Sequence, residues 1–382
     1  MTTQTRTITL VVGTRPEAIK MAPLFHALKK CPGVRPHLLA TGQHADMLLE
    51  PLAYFGLVPD DNLGIMRERQ TLDYVTSAVL ELSGKVFDRE NPSLVLVHGD
   101  TTTTLAASLA AFYRKIPVGH VEAGLRSRDL GRPFPEEMNR VVTDHLASWW
   151  FPPTEGAAAN LLREGCPADR VVVTGNTVID ALLWTARRVH APSASALTNL
   201  PPDARVLLLT AHRRESWGEG LERICRAVSR ILDTARDVWC VVPMHRNPAV
   251  REVFQGRLGN LSRVVLCEPL SYPDFVWAMN RSTLILSDSG GVQEEAPALK
   301  KPVLVLRDVT ERPEALTEGT AMLVGTDENR IVSAACQLLT DPKAYAALAQ
   351  KDLHPFGDGN AAEKICTVIM SRMGDLSAGG SW

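Results

Sequence analysis

The sequence lacks an excess of charge of either sign. Its 41 Lys and Arg residues are balanced by 43 Asp and Glu residues, which gives a formal net charge of −2. Proteins that bind nucleic acid or anionic membranes through charge alone carry a basic excess, so those classes are disfavoured. No apolar run approaches the ~20 residues that a membrane-spanning helix needs, and the polar residues 1–6 have no signal-peptide pattern. We therefore expect a soluble protein with no nucleic-acid or membrane partner.

Cysteine pairs at metal-ligand spacing are also missing. The 7 cysteines are scattered, odd in number and contain no CxxC motif, which is typical of buried thiols in a reducing compartment. No HxxH, HExxH or carboxylate-rich cluster occurs either, so we expect no required metal. The expected location is the cytoplasm.

The sequence motifs of several enzyme classes are absent. Without GxGxxG or a Walker loop, NAD chemistry and P-loop ATP chemistry have no support. Neither GxSxG nor a Cys/His pair at a recognised spacing indicates a covalent nucleophile. The 382 residues, of which 45% are hydrophobic, are instead typical of a globular chain, and at ~150 residues per domain they predict two domains.

Short apolar runs alternate with longer helical stretches along the whole chain. The runs that predict buried parallel strands are 8–12, 93–97, 117–121, 170–173, 205–209, 238–242, 263–266, 284–286 and 302–306. Capping-box patterns at Thr14/Glu17 and Asn360/Glu363 predict two helix starts. The alternation predicts a doubly wound α/β fold.

Polar residues cluster where the predicted strands end. Open parallel sheets bind ligands at the carboxyl ends of their strands, so these clusters predict a ligand site lined by Arg, His and carboxylates. Glu122 stands out because a carboxylate that closes an apolar strand is costly unless it is paired or functional. A purely structural role stays open for other residues. Asp100 could be only a helix N-cap, and Glu136 and Glu137 could only stabilise a helix N-terminus. His120 is interpreted first as a hydrogen-bonded core histidine.

The segment Ser289-Gly290-Gly291 opens a predicted helix. It could be only a tight turn, but its amides also suit a diphosphate. Glu295 falls one turn later on the face of Gly291, where it could bind both hydroxyls of a ribose. Together with the carboxylates, the pattern indicates a nucleotide-diphosphate ligand and acid–base chemistry on its sugar.

At these residues the sequence resembles the bacterial non-hydrolysing UDP-N-acetylglucosamine 2-epimerases, from about residue 9 to residue 368. The motifs that carry the resemblance are 13–20, 98–103, 119–126, 135–137, 174–177, 212–215, 288–291 and 310–314. The resemblance implies a glycosyltransferase-B-like α/β fold, in which two Rossmann-like doubly wound domains face a cleft. The domains would be 1–176 and 177–355, with a C-terminal helix at about 356–382 packing back on the first. It also implies a homodimer and no cofactor.

The implied activity is reversible C2 epimerisation of UDP-GlcNAc to UDP-ManNAc, which supplies ManNAc units for surface polysaccharides. The family eliminates UDP to give 2-acetamidoglucal and then adds UDP back with C2 inverted. The residues that match the family's catalytic groups are Asp100, Glu122, Glu136 and His212. The residues that match its UDP contacts or lie in matched motifs near the phosphates are Arg15, Lys20, Ser289, Gly290, Gly291, Glu295 and Arg312.

Some family members bind a second UDP-GlcNAc as an activator. The residues that match this possible activator site are Gln43, His44, Arg69, Glu136, Arg213 and His245. This sequence departs from the family there, with Asp46 in place of the usual Gln and Arg246 in place of the usual Leu.

Three other functions compete with this interpretation. A hydrolysing epimerase would release free ManNAc and UDP, and a glycosyltransferase of the same architecture would use an acceptor. A nucleotide-sugar sensor would have lost its chemistry, but all the matched catalytic residues are present, which counts against it.

Overall fold

Two parallel sheets organise the chain, each with six strands in the part that the structure describes. The structure is a computed structural model, and it describes residues 5–43, 45–310, 312–349 and 354–372, with all their side chains except those of residues 45–47 and 214. The chain divides into two compact units. Unit 1 consists of Met1–Ala181 and Phe356–Trp382, and unit 2 consists of Leu182–Pro355.

The strands are β1 Arg6–Val12, β2 Val34–Ala40, β3 Asp61–Asn62, β4 Leu94–His98, β5 Val118–Val121, β6 Trp149–Phe151, β7 Arg205–Thr210, β8 Val238–Pro243, β9 Val264–Cys267, β10 Leu284–Ser287, β11 Val303–Val305 and β12 Ala321–Leu323. The helices are α1 Arg15–Lys29, α2 Ala45–Tyr54, α3 Leu72–Glu90, α4 Thr102–Phe112, α5 Glu136–Leu146, α6 Glu155–Arg163, α7 Thr177–Ala186, α8 Ser195–Thr198, α9 Glu219–Thr234, α10 Pro248–Leu258, α11 Tyr272–Arg281, α12 Gly290–Ala298, α13 Pro313–Thr317, α14 Glu328–Thr340, α15 Pro342–Ala349 and α16 Ala361–Ser371.

The two sheets have the same connectivity. Their strand orders are β3-β2-β1-β4-β5-β6 and β12-β11-β10-β7-β8-β9, so each sheet starts in the middle, runs to one edge and then returns to fill the other. This is the doubly wound Rossmann order, with its switch point between the first and fourth strands. The predicted α/β class and the two Rossmann-like domains are therefore confirmed. The switch points lie between β1 and β4 in unit 1 and between β7 and β10 in unit 2.

Buried apolar side chains hold each sheet against its helices. In unit 2, α9 has an apolar stripe that includes Leu221, Ile224, Val228 and Ile231 and is buried in the core. In unit 1, Phe87 of α3 is buried beside the strand residues of β4 and β5. Burial of each such side chain contributes about 1.5–3 kcal/mol to folding.

The sequence pattern missed several strands and misplaced one. Residues 170–173 are not a strand: Arg170 ends a 3₁₀ turn, and Val171 forms an isolated bridge with Trp150. The missed strands are β2, β3, β6 and β12. β2 contains Pro36 and polar residues, while the other three have only two or three residues each, too few for a periodic signal.

The C-terminal helix α16 begins where the sequence predicted, but a different residue caps it. Asn360 is the N-cap residue, yet its side chain makes no capping hydrogen bond within the described chain. Instead, the buried carboxylate of Asp180 accepts the N–H groups of Ala361 and Ala362, at 3.2 and 2.9 Å. The predicted capping box is therefore wrong. Asp180 lies in α7, the helix in which the two units divide, whereas the sequence placed the division at residue 176.

All seven cysteines are free thiols. Of the helices in the described residues, none combines the length and the apolar character that a membrane crossing requires.

Candidate active site

The predicted site residues of each unit gather at its switch point. In unit 1 they follow β1 and β4, with further residues after β5, and in unit 2 they follow β7 and β10. Ligands of doubly wound sheets bind outside the carboxyl ends of the strands at this position.

Glu122 is the centre of the unit 1 site. It follows β5 with a φ of 62°, which is a strained backbone conformation for a residue with a side chain. Its carboxylate is buried, forms an ion pair with Lys20 and accepts a hydrogen bond from Asn176 Nδ2 at 2.9 Å. His98 Nε2 lies 3.5 Å from the same oxygen. The structure therefore brings Glu122 and Lys20 together, and it adds Asn176, whose contact the sequence did not indicate.

Positive charge around Glu122 decides its protonation. Burial alone would raise the pKa of Glu122, but Lys20, His98 and Arg140 outweigh burial and hold that pKa well below its usual range. The carboxylate is therefore ionised at neutral pH. A buried carboxylate surrounded by cations is a common feature of functional sites.

Arg140 joins the two carboxylates that follow β4 and β5. It lies in α5 and is buried, and its Nη2 is 2.5 Å from Asp100 Oδ2 and 3.5 Å from Glu122 Oε1. Its Nη1 also donates to the main-chain carbonyl of Glu122. Burial would lower the pKa of Arg140, but Asp100, Glu122 and Asp144 raise it above its usual value. The sequence did not single out Arg140, although its place one turn after Glu136 puts it on the face of α5 that Glu136 shares.

Asp100 does not cap the helix that follows it. Thr101 is the N-cap of α4, and its hydroxyl accepts the N–H of Thr104 at 3.1 Å. The alternative prediction, that Asp100 is only a helix N-cap, is therefore wrong. Its carboxylate pairs with Arg140 instead and stays partly accessible, with 32% of the side chain exposed.

The adjacent residues Glu136 and Glu137 have different environments. Glu137 is buried, and its carboxylate accepts the N–H groups of Ser127 and Arg128 at 2.9 and 2.8 Å, so it holds the preceding loop. Glu136 is the first residue of α5 and is partly exposed. Its carboxylate has no hydrogen bond or ion pair within the described chain. Glu136 can therefore contact a ligand without breaking an existing interaction.

Glu17 links the turns that follow β1 and β4, the two strands at the switch point of unit 1. Its carboxylate accepts the N–H groups of Gly13 and Thr14 at 2.8 and 2.7 Å, and this confirms the predicted start of α1 at Thr14. The same carboxylate accepts the hydroxyls of Thr101 and Thr104 at 2.6 and 3.0 Å. The sequence identified Glu17 only as a capping residue, because the threonines lie more than 80 positions away.

His120 has the structural role that the sequence favoured. It is fully buried, with its Nδ1 2.6 Å from Asp144 Oδ1 and its Nε2 2.7 Å from the carbonyl of Gly99. Both ring nitrogens are engaged, so His120 supports the β4 and β5 ends from inside the unit.

In unit 2, Asp288 organises the loop after β7. Asp288 follows β10 and is fully buried, and its Oδ2 accepts the N–H groups of His212 and Arg213, each at 2.8 Å. Its other oxygen lies 3.4 Å from His212 Nδ1. The imidazole of His212 also stacks on that of His245, with ring centroids 5.4 Å apart. The structure therefore brings His212, Arg213 and His245 together.

The start of α12 offers a space for an anion. Ser289 is the N-cap residue, and Gly290 and Gly291 begin the helix. A Cβ built on Gly290 would lie 3.9 Å from Arg213 Nη2 and 4.0 Å from Arg312 Nη2. Gly290 therefore faces two guanidinium groups at a helix N-terminus, where main-chain amides and the helix dipole attract phosphate. This space suits a diphosphate.

Two buried side chains of α12, those of Gln293 and Glu294, hold residues of the loop after β11. Glu294 forms an ion pair with Arg312, and Thr310 donates to Gln293 Oε1 at 2.5 Å. Glu295 lies where the sequence put it, with its Oε1 3.5 Å from a Cβ built on Gly291. The sequence missed Asp288 and Glu294 as site residues, although both lie within or beside the matched motif 288–291.

The residues that matched an activator site are divided between the units. Gln43 and Arg69 belong to unit 1, where Gln43 Oε1 accepts the hydroxyl of Thr103 at 2.9 Å and Arg69 is exposed. Arg213 and His245 belong to unit 2 and lie beside His212 or Gly290. His44 lies outside the described residues.

Two residues that lie in matched motifs for UDP binding, Arg15 and Lys20, are both in α1. Arg15 is at its first position and Lys20 is in its second turn.

One cluster of the described residues has donor atoms at metal-binding distances. His37, Asp61 and Glu90 lie near the edge of the unit 1 sheet. Arg89 pairs with both carboxylates and Arg35 pairs with Glu90, at 2.6 Å from its Oε2. These arginines already compensate the negative charge that would bind a cation.

Comparison with known proteins gives consistent matches. The family model described as UDP-N-acetylglucosamine 2-epimerase matches residues 26–370. The UDP-N-acetylglucosamine 2-epimerase of Escherichia coli K12 is 51% identical over 365 residues, which cover 94% of this chain and 97% of that protein. The crystal structure of UDP-GlcNAc 2-epimerase from Neisseria meningitidis bound to UDP-GlcNAc has a TM-score of 0.87 and 44% identity, over 96% of this chain and 100% of that one. The Methanocaldococcus jannaschii UDP-GlcNAc 2-epimerase in complex with UDP-GlcNAc and UDP has a TM-score of 0.77 and 34% identity, over 96% and 99% of the two chains.

Proposed function

The chain belongs to the UDP-N-acetylglucosamine 2-epimerase family, and we propose that it interconverts UDP-GlcNAc and UDP-ManNAc by the non-hydrolysing route. The family, the fold and the epimerase activity rest on matches along nearly the whole chain. The non-hydrolysing route is the more specific part of this proposal. It predicts that the nucleotide is released and recaptured within one catalytic cycle, so the product remains a nucleotide sugar.

The single observation that supports a bound nucleotide diphosphate is the space at Gly290. Two guanidinium groups, those of Arg213 and Arg312, approach the side of Gly290 where a Cβ would stand. We assign the diphosphate to this space, with Ser289 and Gly291 adding main-chain and hydroxyl contacts. Glu295, one turn along the same helix, is assigned to the ribose hydroxyls. A leaving UDP would keep its negative charge stabilised here, and this stabilisation favours cleavage of its bond to C1.

The proposed reaction needs a base and an acid at C2. The C2 proton is weakly acidic, so its loss is coupled to departure of UDP, and 2-acetamidoglucal forms as the intermediate. Re-addition of UDP with protonation on the other face inverts C2. The candidates for these proton transfers are Asp100, Glu122, Glu136 and His212. Because Arg140 contacts both Asp100 and Glu122, a change of charge on one of them alters the proton affinity of the other.

The test is incubation with UDP-GlcNAc in D₂O, with the products separated and weighed by mass spectrometry. We expect UDP-ManNAc that carries one deuterium at C2, and re-isolated UDP-GlcNAc that also gains deuterium. Accumulation of free ManNAc and UDP would identify the hydrolysing alternative. UDP-ManNAc that retains its original C2 hydrogen would exclude the elimination route.

A matched pair of variants locates the chemistry. Asp100→Asn should abolish turnover while UDP still binds, since Asp100 is assigned to proton transfer and not to the diphosphate. Asp73→Asn, an exposed change in α3, should leave turnover unchanged. Loss of UDP binding in Asp100→Asn would contradict this assignment.

Three further properties stay predictions: the homodimer, the second UDP-GlcNAc site and the cytoplasmic location. The seven free thiols support a reducing compartment. Light scattering of the purified protein tests the dimer, and the dependence of the initial rate on UDP-GlcNAc concentration tests the activator site, which predicts a sigmoidal curve.

A further inference from the structure

The two oxygens of Asp288 have different partners. Oδ2 accepts two main-chain N–H groups, those of His212 and Arg213, at 2.8 Å each. Oδ1 is equally buried, and no hydrogen bond reaches it from the described residues. Nδ1 of His212 lies 3.4 Å from this oxygen. A buried carboxylate oxygen without a donor is costly, so this oxygen is available to one specific group.

The surroundings of His212 favour a neutral imidazole. Burial lowers the pKa of His212, and the adjacent His245 ring and Arg213 guanidinium lower it further, against the opposing effect of Asp288. A neutral imidazole carries one proton, on either Nδ1 or Nε2. With the proton on Nε2, the Nδ1 lone pair would face the Asp288 carboxylate and be repelled by it. With the proton on Nδ1, the same contact becomes an attraction.

We propose that Asp288 is a positioning residue that holds the proton of His212 on Nδ1 and leaves Nε2 as a hydrogen-bond acceptor for the sugar ligand. The two main-chain bonds to Oδ2 hold the His212 loop at the correct distance, and Oδ1 selects the tautomer. The 3.4 Å separation is longer than a normal hydrogen bond, and such contacts shorten when a ligand orders the site. The catalytic consequence of this inference rests on the proposed epimerase function, whereas the tautomer itself does not.

Asp288→Asn separates these two tasks of Asp288. The amide oxygen of the new side chain can replace Oδ2 and keep the main-chain bonds to the loop. Its NH₂ group then faces His212 Nδ1 and favours a lone pair there, which moves the proton to Nε2 and removes the acceptor. We expect UDP to bind with an unchanged Kd within about twofold, while kcat falls by at least about tenfold, because a wrong histidine tautomer impairs proton transfer without removing binding groups.

The matched control is Asp237→Asn. Asp237 is exposed and pairs with Arg205 at the opposite end of β7, where its Oδ2 lies 2.5 Å from Arg205 Nε. The same chemical change there should leave kcat, the Kd for UDP and the state of His212 as they are in the unmodified protein.

The decisive measurement is nuclear magnetic resonance of protein labelled with ¹⁵N histidine, read without ligand at pH 8. His212, assigned by comparison with His212→Asn, should carry its proton on Nδ1 in the unmodified protein and on Nε2 in Asp288→Asn. A proton on Nε2 in the unmodified protein overturns the proposal, even if the variant does not fold. Wild-type kcat in Asp288→Asn, or a parallel loss of UDP binding and kcat, also overturns it. If the unmodified protein makes no UDP-ManNAc, the proposed function fails, while the tautomer measurement still decides this inference.

Discussion

Lys20, in the second turn of α1, forms an ion pair with the buried carboxylate of Glu122 at the end of β5. The two residues are 102 positions apart, and they meet because α1 begins just after β1, and β4 alone separates β1 from β5 in the sheet. The pair helps to keep this carboxylate charged, because Lys20 opposes the effect of burial, which raises the pKa of Glu122. It therefore links the first motif of the sequence to the chemistry assigned to Glu122.

Removal of the positive charge at Lys20 should shift the pH dependence of the reaction. In Lys20→Met, Glu122 loses one of the cations that lower its pKa, so that pKa rises and the carboxylate is protonated at a higher pH. The acid limb of kcat/KM against pH should then move to higher pH. Lys29→Met, an exposed change on the same helix, serves as the control and should leave the profile unchanged. An acid limb that does not move would show that Glu122 does not determine it.

Filling the space at Gly290 should weaken UDP binding without weakening the fold. A Cβ at this position lies 3.9 Å or more from the other side chains around it, so the first side-chain atom of Gly290→Val has room, and its two methyl groups enter the space assigned to the diphosphate. We expect the Kd for UDP, measured by calorimetry, to rise by at least about tenfold, which corresponds to about 1.4 kcal/mol. Gly256→Val in α10, where a Cβ meets no atom within 4 Å, controls for a β-branched residue in a helix. Equal UDP affinity in both variants would show that the nucleotide binds elsewhere.

Glu17→Gln should destabilise unit 1. The Glu17 carboxylate is buried: its Oε2 accepts the N–H groups of Gly13 and Thr14, and its Oε1 accepts the hydroxyls of Thr101 and Thr104. An amide group accepts on only one side, so the threonine hydroxyls that donate to the other oxygen must reorient or lose that acceptor, at a cost of about 1–3 kcal/mol. The melting temperature should fall by roughly 2–10 °C. Glu81→Gln, an exposed glutamate of α3 paired with Lys85, should change it by less than about 2 °C. Equal effects of the two substitutions would contradict the role given to Glu17.

Asp180 should make stability depend on pH in the direction opposite to that of most carboxylates. Burial raises its pKa to about 6, despite the two N–H bonds from the start of α16. Between the unfolded pKa of 3.8 and this value, the folded state keeps a proton that the unfolded state releases. The contribution of Asp180 to stability is therefore largest at low pH and declines as pH rises through this window.

The comparison of the unmodified protein with Asp180→Asn measures this contribution. As pH falls from 7 to 5, the unmodified protein should gain about 1 kcal/mol of unfolding free energy relative to the variant. Asp73→Asn should show no such trend. A constant difference between the unmodified protein and Asp180→Asn from pH 7 to pH 5 would show that the folded pKa of Asp180 does not lie in this range.

The strands that the sequence predicted share one property: they are continuous apolar runs, such as those that became β4 and β10. A strand buried on both faces needs only apolar side chains, and that requirement is visible locally. β2 was missed because it contains Pro36 and His37, which are accommodated by particular neighbours: His37 Nδ1 lies 3.2 Å from Thr9 Oγ1 on β1. Such compensation depends on which strands are adjacent, and the sequence does not state adjacency.

The residues of the candidate site also fall into those that the sequence identified and those whose contacts it did not predict. Asp100, Glu122, His212 and the Ser289 turn could be selected from the sequence because each follows an apolar strand, and carboxyl ends of parallel strands collect functional groups. The contacts of Arg140, Asn176 and Asp288 could not be predicted, because their neighbours in the sequence do not indicate which residues they touch. The helix start at Thr14 was predictable and the capping of α16 by Asp180 was not, since the first uses neighbours three residues apart and the second spans 181 positions.

The sequence by itself determined the α/β class, the family and the positions at which polar residues leave the strands. All three follow from short-range patterns: apolar periodicity, turn chemistry and the order of motifs. Only the tertiary structure decided which charges meet, so that Lys20 and Arg140 compensate Glu122 and Asp288 faces His212. The physical reason is that a buried charge is tolerated only beside a partner, and the partner is supplied by whichever strand or helix the doubly wound topology brings next to it.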